Sequence, residues 1–156
     1  MTEEIKIEKY PDGKIRSRKR FQNGKFHGIS ESWYDNQQLE SQKNFNNGQF
    51  HGIFEEWYEN GKLHLRNYNS NNRAFGFVEC WREIGERYYS NNYWNGQRHG
   101  LCQYWTTSNE LIETYYFNGD SISKEEFEEY VLIVTKELMY LLNINERGIA
   151  SIITEY

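Results

Sequence analysis

The chain has 156 residues, enough for one domain, and 17% of them are aromatic, with 13 Tyr, 9 Phe and 5 Trp. A formal net charge of −5 over the whole chain argues against a protein-wide affinity for nucleic acid or anionic lipid. Two cysteines make no disulfide framework, the start lacks a secretory signal's apolar core, and the longest apolar run, Val131 to Val134, is too short to span a bilayer. A soluble protein of a reducing, cytoplasmic compartment is expected.

The N-terminal stretch is the basic part. Residues 1–26 hold eight Lys/Arg against four Asp/Glu, with a cluster at Lys14, Arg16, Arg18, Lys19 and Arg20. Charge of this kind protects an exposed edge strand from pairing with other chains. It would also be the only support for a membrane surface.

From about residue 10 a 24-residue period sets in. It is visible in His27-Gly28, His51-Gly52, Phe75-Gly76 and His99-Gly100, and in the aligned Trp33, Trp57, Trp81 and Trp105. Ile29, Ile53, Phe77 and Leu101 keep the same step, as do Asn23-Gly24, Asn47-Gly48, Asn71-Asn72 and Asn95-Gly96. Asn-Gly between alternating apolar stretches is the strongest short-range hairpin signal, because both residues tolerate the positive φ of a two-residue turn. Each unit therefore reads as two strands and two turns: Gly28 to Tyr34 outward, a turn at Asp35-Asn36-Gln37, then Leu39 to Phe45 in return. The third unit departs most, since Asn72 replaces Gly, Phe75 replaces His, and Ile84-Gly85 reads as a shifted turn. The array closes near Phe117-Asn118-Gly119.

The segment Asn47-Gly48…Gly52…Trp57-Tyr58-Glu59-Asn60-Gly61-Lys62-Leu63, with a close copy around Trp33-Tyr34, resembles the MORN repeat family. The closest pattern is the variant N-G-x-x-x-G-x-x-x-x-W/Y-Y-x-N-G-x-L, and the resemblance covers about residues 10–119. It implies a mainly β fold: an open, twisted, single-layer antiparallel array of β-hairpins. It also implies an assembly or targeting role. An antitoxin-like binding protein is one alternative, and a peripheral membrane or lipid-binding module using the N-terminal basic cluster is another. On this reading residues 1–119 are repeats and residues 120–156 a helical cap.

The tail supports that division. Ser123-Lys124-Glu125-Glu126 is a capping box ahead of Phe127, Tyr130, Val131, Val134, Leu138, Leu141 and Leu142, which recur at steps of three and four. A helix of roughly 20 residues follows, expected to cover the sheet's open end or apolar face, or else to dock on a second chain in a homodimer. A second short helix is expected near Arg147–Ile153.

No group of residues points to catalysis. Neighbouring His27 and His51 should lie about two strand spacings, ~10 Å, apart, too far to share a metal whose ligand atoms sit ~2 Å from it. Adjacent carboxylates such as Glu55-Glu56 point to opposite faces of a strand. Cys80 and Cys102 read as buried free thiols, and no phosphate loop, dinucleotide fingerprint or nucleophile elbow is present. No metal or other cofactor is called for. One column is unexpected: period-2 alternation puts Glu31, Glu55, Glu79 and Gln103 beside Trp33, Trp57, Trp81 and Trp105 on one face. These residues are the candidate binding site, a shallow groove for an extended basic or polar peptide with tryptophan anchors and glutamate charge partners. The competing reading is a sheet curled so that the glutamates reach solvent while Ile and Trp pack together. The expected function is a non-catalytic protein-interaction scaffold.

Overall fold

A computed structural model describes residues 2–142, with side chains to residue 137. The strands run β1 (Glu3–Lys9), β2 (Ile15–Gln22), β3 (Lys25–Phe26), β4 (Gly28–Trp33), β5 (Leu39–Asn46), β6 (Gln49–Trp57) and β7 (Leu63–Ser70). They continue as β8 (Arg73–Trp81), β9 (Arg87–Trp94), β10 (Gln97–Arg98), β11 (Gly100–Trp105), β12 (Leu111–Phe117) and β13 (Asp120–Ile122), followed by helix α1 (Lys124–Leu142). All thirteen strands form one antiparallel sheet, ordered β1-β2-β4-β5-β6-β7-β8-β9-β11-β12-β13, with β3 on β2 and β10 on β9. With β3–β4 and β10–β11 each taken as one interrupted strand, every strand pairs with its neighbours in sequence, so the sheet is an open meander. It extends three residues past Gly119 before the helix begins.

Two kinds of turn generate it. Asn47 (φ 51°) and Gly48 (φ 85°) both lie in the left-handed region, as a two-residue hairpin turn with the right-handed strand twist demands. Asn71 (51°) and Asn72 (64°) adopt the same conformation, so the missing glycine of the third unit changes nothing. At the opposite side, the Gly61 N–H donates to the Tyr58 carbonyl at 2.8 Å and the Tyr58 N–H to the Lys62 carbonyl at 2.8 Å. The Asn60 side chain accepts the Lys62 N–H at 3.0 Å. Gly85 repeats this with Arg82 at 2.7 Å. The turn at Ile84-Gly85 is thus in register with the others and is not shifted, and the return strand starts at Arg87, where the period requires it.

The glycine that recurs at 28, 52, 76 and 100 is not a turn residue in the second and third units. β6 runs unbroken through His51-Gly52, and its pairing with β5 skips there: Lys43 faces Phe54 and Phe45 faces Phe50. Gly52 (φ 97°) therefore sits in a bulge inside a strand, and Gly76 (φ 73°) does the same in β8. Bulges bend a strand and increase its twist, so one bend recurs per unit.

With a single layer, burial is confined to the sheet's own folds. The most buried residues are Ser17, Ser30, Ser41, Ser90, Val78, Cys80 and Cys102, and no large side chain is fully buried among the described residues. One face carries a stack of phenylalanines: Phe21–Phe26, Phe26–Phe45 and Phe45–Phe50, at centroid separations of 4.6, 4.8 and 4.6 Å. Units are also stapled in series. Tyr10, Tyr34 and Tyr58 donate their hydroxyl hydrogens to the carbonyls of Trp33, Trp57 and Trp81 at 2.7, 2.8 and 2.8 Å. In the next unit Arg82 takes over this role and donates to the Trp105 carbonyl.

The capping box closes as expected: the Glu126 N–H donates to Ser123 Oγ at 3.1 Å and the Ser123 N–H to Glu126 Oε2 at 2.8 Å. Phe127 packs on Tyr115 (5.1 Å) and Tyr130 on Phe117 (4.6 Å). The start of the helix so covers the last unit only, while Leu132 and Ile133 stay exposed. The side chains of Leu138, Leu141 and Leu142, and the second helix expected at 147–153, lie outside the described residues.

Candidate interaction faces

The column of glutamates lies on one face, here the glutamate face, in a row that alternates between strands. Arg18 faces Glu31, Glu31 faces Gln42, Gln42 faces Glu55, Glu55 faces Arg66, and Arg66 faces Glu79. Glu79 and Gln103 both flank Ser90. The carboxylates are not stranded. Arg18 Nη2 lies 2.7 Å from Glu31, Arg66 Nε 2.7 Å from Glu55 and Arg87 Nη2 3.2 Å from Glu79. Gln103 Nε2 donates to Glu113 at 2.9 Å. With only 16–20% of these glutamate side chains exposed, each charge is held by a cation on the next strand instead of reaching solvent at the sheet edge.

The tryptophans flank this row, half-buried. Guanidinium groups lie over two of them, Arg18 over Trp33 and Arg87 over Trp105, each 5.5 Å from the ring centre. On the other side of the glutamates the apolar column is uncovered: Ile29 is 41%, Ile53 55% and Phe77 64% exposed. Tyr68, Phe75 and Trp94 extend it, Phe75 lying 6.4 Å from Tyr68 and 4.7 Å from Trp94 between ring centres. An open depression of about 460 Å³ runs between Ile53, Tyr68, Phe75 and Phe77, floored beside Arg66 and Glu79. The structure thus brings the eight candidate residues to one face and places next to them an apolar patch that alternation alone assigned to packing. Only partner-strand register reveals which arginine meets which glutamate.

The reverse face changes character along its length. Phenylalanines line its first half; Tyr88, Tyr89, Tyr93, Tyr104 and Tyr116 line the second, around an open depression of about 380 Å³ that also includes Arg98. Burial pushes the Cys80 and Cys102 thiols above their ordinary pKa, so they are protonated and poor nucleophiles. His99 packs on Phe117 and Tyr130, and its Nδ1 accepts the Asn118 N–H at 3.4 Å. No cluster of three or more His, Cys, Asp or Glu residues suited to a metal ion occurs among the described residues.

An open, single-layer array of β-hairpins in a 24-residue period, bent by a bulge in each unit and faced with ion-paired carboxylates and exposed aromatics, defines a β-hairpin repeat protein. The family described as MORN repeat variant matches residues 26–47 and 50–69, so these two stretches are similar to that repeat. Such repeats are in general protein- or membrane-interaction modules and generally non-catalytic. No curated protein matches the chain. No helix among the described residues is long and apolar enough to cross a membrane.

Proposed function

We propose that the chain is a non-catalytic cytoplasmic interaction scaffold that presents its glutamate face to a protein partner. The single observation that carries this reading is the contiguous exposure of Ile53, Tyr68, Phe75, Phe77 and Trp94 beside a depression of about 460 Å³. Exposed apolar clusters rimmed by polar groups mark interaction sites, and aromatic anchors in such clusters carry most of the binding energy. The glutamates and tryptophans of the column form the rim. Because Glu31, Glu55 and Glu79 enter with arginines already in place, they confer orientation more than affinity.

The N-terminal cations give weaker support to a membrane role. Lys14 is paired with Asp12 at 2.8 Å, Arg18 with Glu31 at 2.7 Å and Lys19 with Glu8 at 2.7 Å. Alternation also splits the cluster between both faces. The test is a quantitative pull-down from native lysate with the wild type and an Ile53→Glu/Phe77→Glu double variant, alongside flotation with phosphatidylserine vesicles. The wild type is expected to retain its specific partner, and the variant to retain at least about tenfold less, ~1.4 kcal/mol of binding, with an unchanged melting curve. Equal recovery by both, or flotation lost on neutralising Arg16, Arg18, Lys19 and Arg20, would replace the scaffold reading with the membrane one.

A further inference from the structure

The tyrosine-lined half of the reverse face departs from the repeat in a way that architecture does not require. Position 98 continues the column Phe26, Phe50 and Ala74, yet it is Arg; position 104 continues Ser32, Glu56 and Cys80, yet it is Tyr. Arg98 also differs from the arginines that are paired with carboxylates. Arg18, Arg66, Arg82 and Arg87 each lie within 3.8 Å of a carboxylate. Among the described residues Arg98 has phenols instead: its Nη1 donates to Tyr116 Oη at 3.1 Å, and the guanidinium lies 5.2 Å from the centre of the Tyr116 ring. Tyr93, then Tyr116, hold it firmly protonated. A cation surrounded by hydroxyl groups is satisfied as a donor but not neutralised as a charge. A phenol that accepts from the guanidinium still has its own hydrogen to give.

The rings set a spacing. Tyr93 on β9 is paired with Arg98, and Tyr116 on β12 with Gly100, so these two rings flank Arg98 from strands two apart in the sheet. Two strand spacings at ~4.8 Å put the β9 and β12 ridges about 9.6 Å apart. A polyproline II helix, with three residues per turn and a rise of about 3.1 Å, repeats every ~9.3 Å, and its carbonyls have no internal hydrogen-bond partner. Aromatic ridges at that interval, with hydroxyl donors between them, match such a helix lying across the strands.

We propose that the tyrosine-lined depression binds an acidic, proline-rich peptide segment in the polyproline II conformation, with Arg98 pairing one of its carboxylates. Tyr93 and Tyr116 provide the ridges, and their hydroxyls donate to the peptide carbonyls. This site lies on the opposite face from Ile53 and Phe77, so the chain would hold two partners at once. The inference does not depend on which partner the glutamate face takes.

Fluorescence anisotropy with a labelled synthetic octapeptide of Pro-Pro-Glu repeats tests it, using the full chain. Saturable binding tighter than about 1 mM is expected. Arg98→Gln should weaken the peptide about tenfold, leave a matched Pro-Pro-Gln peptide unaffected and remove most of the salt dependence, while Arg98→Lys restores part of the loss. The pattern of peptides, with melting curves for each variant, separates lost recognition from lost folding. The Ile53→Glu/Phe77→Glu chain should bind the octapeptide as the wild type does, so failure on one face is distinguishable from failure on the other. Absence of saturable binding, equal binding by the Arg98→Gln chain, or equal binding of a peptide with every proline replaced by serine would each overturn the proposal.

Discussion

The hydroxyl of Tyr58 reaches 23 residues along the chain to the Trp81 carbonyl, at 2.8 Å, and Tyr34 and Tyr10 do the same in earlier units. Alignment of the tyrosines was visible in the sequence, but their role was not, because a phenol that stitches one turn to the next looks like any half-buried aromatic until the units are stacked. Tyr58→Phe keeps the ring and deletes the donor, so it is expected to cost about 1 kcal/mol, a fall of roughly 2–4 °C in Tm for a chain of this size. A loss no larger than that of an exposed tyrosine such as Tyr104 would deny the staple any role. Burial raises the pKa of Tyr34 and Tyr58 above the ordinary 10.0. The native state therefore keeps protons that the unfolded chain has lost, and stability must fall as pH climbs from 10.0 through the higher native values. Replacing both by Phe should flatten that alkaline limb in melts taken from pH 9 upward. The glutamates teach a related lesson. Period-2 alternation gave their shared face correctly, whereas their arginine partners depend on strand register, which single-chain spacing does not fix.

At the scale of the element, the Gly column matters most. A glycine ahead of an alternating stretch signals a turn or a bulge with equal force, and only the skipped pairing across β5 and β6 decides for the bulge. The paired asparagines show the opposite case: a local conformational need, positive φ at both turn residues, is written directly in Asn-Gly and Asn-Asn and was legible throughout. The capping box was legible for the same reason. The bulge account predicts that Gly52→Ala and Gly76→Ala each destabilise by about 1–2 kcal/mol, because L residues are strained at positive φ. Gly52→Ala should be the worse of the two. Its φ of 97° lies further from the left-handed minimum, and the new Cβ would meet Asn44 Nδ2 at 3.0 Å, while at Gly76 nothing lies within 4 Å. Urea unfolding midpoints at constant slope give the comparison; the reverse order would contradict both grounds, backbone strain and crowding alike.

Across the whole molecule, the 24-residue period determines a sheet in which each unit contacts only its neighbours, the property of a linear repeat array. Fold class, repeat length and the capping helix followed from periodicity because each is a local or nearest-neighbour consequence of the pattern. What periodicity could not supply was coverage. In a two-layer domain the apolar face of a sheet is the buried one, but a single layer has no second layer to bury it. Ile53 and Phe77 therefore look like core residues in the sequence and stand exposed in the fold. Among the described residues the helix covers the last unit through Phe127 and Tyr130, and the patch stays exposed. The central claim, that this patch is an interface, is tested most directly by hydroxyl-radical footprinting of the chain in dilute purified form and in native lysate. Tyr68, Phe75, Phe77 and Trp94 should be oxidised readily in the purified chain and protected in lysate, with the exposed turn residue Ile84 unchanged as reference. Equal oxidation of the patch in both settings would contradict it.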